Sequence, residues 1–159
     1  MNPRHCGFSM MEMVVVIAIV AILATLAIPS YLDKIVRDQI VEALPLADIA
    51  KIPIAGSWAA LQSFPVDNAA AGLPVPDKIV NNFVSSVAVR EGAIDLTFGN
   101  RANNVIKGKV LTLRAAVVED APIVPVTWVC GYAAAPGKMT VTSADKTNIP
   151  AVYLPLRCR

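Results

Sequence analysis

No charged residue occurs between Met13 and Leu32, where Thr25, Ser30 and Tyr31 are the only polar side chains, and one carboxylate, Glu12, stands at the head of the run. At about 1.5 Å per residue the run makes a helix roughly 30 Å long, the thickness of a bilayer's hydrocarbon core. A secretory signal peptide cut near Ala24 or Ala27 and a single-span anchor are the plain readings. An acid between the basic tail and the apolar run is foreign to a signal peptide, and the run outlasts the usual apolar region of about 7–15 residues. Neither reading gives Glu12 a purpose.

A carboxylate near the centre of hydrocarbon costs about 2.5–3.5 kcal/mol or more, so it normally has a partner. Cleavage between Gly7 and Phe8 would supply one, a new α-amine on Phe8. Offered by a neighbouring copy shifted along its axis, that amine would pair with Glu12 and favour assembly over the isolated chain.

His5 is the sole histidine of the 159 residues, and it lies in the tail that such a cut removes. Without an imidazole there is no Ser/His or Cys/His pair and no histidine metal ligand, so no enzyme, metal site or cofactor is expected. Cys6 leaves with the same tail. Cys130 and Cys158 remain as an even pair suited to an oxidising compartment, either bridged or as two buried thiols. The net charge is +2, and loss of Arg4 lowers it by one. With the basic residues scattered, nucleic-acid binding is possible but unsupported by charge.

Gly7, then Phe8-Ser9-Met10-Met11-Glu12, an unbroken apolar run and "AIPSY" resemble the prepilin signature of type IV pilins. The resemblance is dense over residues 1–55. It extends through "DLTFGN", "KVLTL", "TWVCGY" and the ending "TNIPAVYLPLRCR". Met10-Met11 departs from the common pattern but stays apolar. The resemblance implies a leader, residues 1–7, removed after Gly7 by a dedicated prepilin peptidase. That enzyme also N-methylates Phe8. It implies that Glu12 sets the register between subunits and that Cys130 and Cys158 bound a C-terminal disulfide loop.

Beyond the apolar run, Pro29 predicts a kink or local melting. Leu32, Val36, Ile40, Ala43, Ala47, Ala50 and Ile54 then recur at steps of three and four, one apolar stripe of an amphipathic helix. Pro45 and Pro53 fall inside this pattern and predict bends without a break. The stretch from Gln62 to Lys78 holds Pro65, Gly72, Pro74 and Pro76 and reads as a connecting loop.

Alternation marks the rest. Ile94, Leu96 and Phe98 share one face, with Asp95 and Thr97 on the other, and Arg90-Glu91-Gly92-Ala93 reads as a hairpin turn. Leu111 and Leu113 oppose Thr112 and Arg114, Val126, Trp128 and Cys130 share a face, and "GKMTVTS" is a short strand at best. "GNRANNVIKGK" lacks the GK[ST] of a phosphate loop and reads as an inter-strand connection.

The expected fold is α+β: a long N-terminal helix, residues 8–61, packed on an antiparallel sheet of about four strands. Residues 8–32 would be the membrane-spanning and filament-core part, and 62–159 the globular head. The resemblance implies a major subunit of a type IV pilus, held first in the inner membrane and then assembled into an extracellular filament. The partners it implies are other copies of the chain in a helical array, the prepilin peptidase, the inner-membrane assembly machinery and, before assembly, lipid. Adhesion, twitching motility and DNA uptake are the roles it suggests. A minor pilin, a type II secretion pseudopilin and a DNA-receptor pilin are the alternatives.

Overall fold

The computed structural model describes residues 7–159, with the side chains of 26–30 outside the description. The chain divides into two units, Met1–Ile35 and Val36–Arg159. The first is helical from Met10, where α1 (Met10–Ala43) begins. The leader falls almost wholly outside the described residues. Helix α1 continues through Pro29, so the local melting expected there is not found. One proline removes a single i→i−4 bond while the neighbouring bonds hold the turn. Among the described residues no helix is long and apolar enough to cross a membrane. The expected span includes residues 26–30, which that statement does not cover.

In the second unit the helical path passes from α1 through a 3-10 turn, Leu44–Ala47, into α2 (Asp48–Leu61). At Pro45 the helical path is unbroken, as expected, but its hydrogen bonding tightens from α to 3-10 type. Pro45 has no N–H for the carbonyl four residues earlier, so α-type bonding lapses and the Asp48 N–H bonds the Pro45 carbonyl instead. Pro53 is tolerated inside α2. Gln62 ends α2 in the left-handed conformation, with its N–H on the Trp58 carbonyl.

Four antiparallel strands follow in the order β1 (Val84–Arg90), β2 (Ala93–Phe98), β3 (Val110–Val117) and β4 (Thr127–Cys130). A two-residue β5 (Thr140–Val141) pairs with the end of β3. The β1–β2 hairpin turns on Glu91 and Gly92, with φ of 47° and 84°. Positive φ at both central residues twists the strands into register. Gly92 has a second reason to lack a side chain, since a Cβ there would meet the Phe64 ring at 2.8 Å.

Register puts Val87 opposite Leu96, and Leu96 opposite Leu111; Val89, Ile94 and Leu113 align in the same way. That row, with Cys130 opposite Leu113, forms the face that meets the helical stripe. Val36, Ile40, Ala43, Ala47, Ala50 and Ile54 are all buried in this core, while Leu32, at the start of the stripe, is exposed. Small residues at 43, 47 and 50 let the helix lie close to the sheet.

The second face of the sheet is covered as well. Asp95, on the expected polar side, is buried because the segment from Ser143 to Thr147 crosses over it. The Asp95 carboxylate accepts from the Thr112 hydroxyl at 2.7 Å and the Arg90 Nε at 3.2 Å. Thr112 in turn receives the Lys146 N–H at 3.2 Å and donates its own N–H to the Thr147 hydroxyl at 3.0 Å. A buried carboxylate with this many donors is satisfied rather than costly.

Candidate functional site

The first cluster of candidate site residues, Gly7, Phe8 and Glu12, lies in the N-terminal segment. Gly7, Phe8 and Ser9 precede the helix, and Gly7 has no neighbour within 4 Å of where a Cβ would stand. Phe8 is 74% exposed. The Gly7–Phe8 peptide bond is thus open, irregular backbone. Ser9 caps α1: its hydroxyl accepts the Met11 N–H at 3.3 Å, and its carbonyl accepts the Met13 N–H at 3.2 Å.

Glu12 lies in the first turn of α1, exposed. Ser9-x-x-Glu12 has the spacing of a capping box, and an acid in a first turn is favoured by the helix dipole by about 0.3–1 kcal/mol. The box itself is not closed, since the Ser9 hydroxyl takes the Met11 N–H, so the local use of Glu12 in a single copy is its place at the positive end of the helix dipole, which the sequence reasoning overlooked. Among the described residues the ion pairs are Lys51–Asp48 and Arg90–Asp95, and Glu12 is in neither. Beyond it, the large apolar side chains from Met13 to Leu23 are exposed on every side of the helix. An all-round apolar helix is stable in water only when something covers it.

At the other end of the sequence, Cys130 and Cys158 are disulfide-bonded across 28 residues of separation. The bridge pins the C-terminal segment under β4, and Cys158 is fully buried. Gly131 makes this possible: a Cβ there would lie 2.6 Å from the Cys158 carbonyl oxygen. The Tyr132 N–H reaches that same carbonyl at 3.1 Å, and the Tyr132 hydroxyl donates to the carbonyls of Thr147 and Ile149. Arg37 from α1 donates to the Val152 carbonyl at 2.8 Å. The C-terminal loop is thereby tied to helix and sheet together.

Residues 36–159 match the pilin family, described as bacterial filament pilins. The chain belongs to this family. Residues 2–28 match the prokaryotic N-terminal methylation motif, which takes in Gly7, Phe8 and Glu12. The fimbrial protein of Neisseria meningitidis serogroup B is 33% identical over 168 residues, covering 100% of this chain and 96% of that protein. The type IV major pilin protein PilE of Neisseria gonorrhoeae is 33% identical over 165 residues, with the same two shares. The fimbrial protein EcpC of Eikenella corrodens is 33% identical over 156 residues, 96% of this chain and 90% of the other. Pilins are structural rather than catalytic proteins.

Three asparagines went unnoticed in the sequence and prove structurally central to this pilin head. Asn68, in the loop before β1 and 5% exposed, accepts the Val89 N–H at 2.7 Å. Its amide donates to the carbonyls of Val87 at 3.0 Å and Pro74 at 2.9 Å. Asn81 accepts the Val84 N–H at 2.8 Å, and Asn100 donates to the Val84 carbonyl at 2.9 Å. These groups point away from β2, so the side chains close the open edge of β1 where another strand would pair. The β1 partners of Asn68 lie 19 and 21 residues away in sequence, and an asparagine in a turn-rich stretch gives little sign of them.

Proposed function

We propose that the chain is the major structural subunit of a type IV pilus. The observation that carries this reading is a bare apolar helix bearing one carboxylate, four residues after an exposed Gly7–Phe8 bond. Relatives named type IV major pilin and fimbrial protein support it.

In this reading residues 1–7 are a leader removed after Gly7, and the peptidase that cuts there methylates the Phe8 amine. Residues 8–61 form the anchoring and assembling helix, and 62–159 the head. The precursor waits in the inner membrane with its apolar helix in lipid. The assembly machinery then draws it into an extracellular helical array, where helices of other copies replace lipid. Such a contact joins unlike surfaces and does not close, so it gives a filament and not a ring. Adhesion, twitching motility and DNA uptake are functions such a filament serves.

Glu12 sets the register. Surrounded by apolar side chains of its neighbours, the carboxylate has a strong preference for a position where another copy's Phe8 amine meets it. The polarity of the Glu12 side chain and its charge separate in one variant. Glu12→Gln keeps a polar side chain there but has no charge for an ammonium. Expressed in a pilus-forming cell, Glu12→Gln is expected to be cleaved and methylated normally yet to yield filaments reduced at least about tenfold, the loss of a buried charge pair. Filament yield equal to wild type would remove Glu12 from assembly.

A further inference from the structure

The two most exposed large apolar side chains among residues 36–159 are Ile123, at 92%, and Leu156, at 85%. Each sits beside charge, and the signs are opposite. Ile123 belongs to the β3–β4 loop, where Glu119 and Asp120 precede it. That loop lies along the later turns of α2, Pro122 and Pro125 beside Ala55 and Ala59. Leu156 precedes Arg157. With Lys51, Leu44 and Pro45, Arg157 walls a groove of about 300 Å³ at the start of α2.

Within the groove Lys51 is held by Asp48 at 2.7 Å and stands 6.0 Å from the centre of the Trp128 ring. Arg157 is in no ion pair among the described residues, and neither is Glu119 or Asp120. The groove therefore carries one positive charge in excess, Lys51 and Arg157 against Asp48, beside Val41, Leu44 and Pro45, and the loop presents anions beside an apolar knob. The groove abuts Lys51 and the loop abuts Ala59, about 12 Å apart along the helix axis. A surface and its complement at separate places on one molecule generate a repeating, non-closing contact between copies.

We propose that the Glu119–Ile123 loop of one copy docks into the Lys51–Arg157 groove of the next. Ile123 enters the apolar part beside Leu44 and Pro45, and the two acids face Arg157. This contact rests on the filament reading above and adds to it a bond between heads, separate from the packing of the apolar helices. Opposite charges steer the approach and fix the register, while the apolar knob excludes water.

Two measurements on sheared filaments of the full chain test it. Arg157→Lys places an amine where the acids dock, and a zero-length carbodiimide on filaments of that variant is expected to link position 157 of one copy to Glu119 or Asp120 of another, read by peptide mass spectrometry; the Lys51–Asp48 link within one copy, 2.7 Å apart, serves as the internal control. Arg157→Glu and Glu119→Arg are each expected to lower filament yield about fivefold, and the two together to restore it. Glu119 is the site to reverse, because Asp120 has φ of 58° and resists a long side chain. Circular dichroism of each variant confirms that the head is folded. Arg157→Lys filaments without the cross-link at position 157, both single variants at wild-type yield, or no rescue by the pair would each overturn the contact. A wild-type chain that forms no filament at all would overturn the polymer reading beneath it.

Discussion

Asn68 carries more of the head than its place in a loop suggests. Its side chain occupies the Val87 carbonyl and the Val89 N–H as a partner strand would. An orphaned buried polar group costs about 1–3 kcal/mol. Asn68→Ala should therefore lower the stability of the full chain in mild detergent by about 2–3 kcal/mol on urea unfolding, with faster hydrogen exchange at the Val89 amide. Asn68→Asp keeps the acceptor for Val89 but turns a carboxylate oxygen toward the Val87 and Pro74 carbonyls in a buried site, and should cost at least as much as Asn68→Ala. Unchanged stability in Asn68→Ala would mean that water replaces the side chain and the edge is not closed by it. Residues of this kind were the least legible from sequence. The spacing of Val87 and Val89 announces a strand, but nothing local announces which distant amide will reach its free edge. Glu12 drew attention because a charge in an apolar run contradicts its surroundings, whereas its place in the first turn of α1, favoured by the helix dipole, was passed over.

At the level of elements, pattern carried far. The stripe from Val36 to Ile54 is buried as its three- and four-residue steps require, and the Arg90–Ala93 turn joins β1 to β2. Alternation located Ile94, Leu96 and Phe98 on the core face because a strand's period of two permits only one choice of face. It was silent on the other face. Asp95 looks like a solvent residue until the chain near Lys146 returns to cover it. Pro45 shows where periodicity misleads, since an apolar repeat continues through a turn in which α-type hydrogen bonding does not. Two expectations follow. Ile54→Ala opens a cavity under the sheet and should cost about 2–5 kcal/mol, measured by the urea midpoint. Replacing Cys130 and Cys158 by serine frees a loop of 28 residues' separation and should cost about 3.5 kcal/mol. An unchanged midpoint in the serine pair would mean that the Tyr132 and Arg37 hydrogen bonds alone hold the C-terminal segment.

On the scale of the whole molecule, two units have two kinds of surface. Residues 36–159 enclose a core between helix and sheet and close the sheet's edge with side chains. The described part of the first unit buries almost nothing, and its apolar residues face outward. Such a helix calls for a cover of lipid or of other copies of itself, and the register role proposed for Glu12 would make the second environment selective. In the proposed reading, removing the tail creates the matching cation and couples cleavage to assembly through one charge. The most direct test is the N-terminal sequence and mass of subunits from filaments sheared off cells. The account requires a chain that begins at Phe8 with a methylated amine and has lost residues 1–7. A filament subunit that keeps those residues, or begins anywhere else, has no amine to offer Glu12 and would contradict the account.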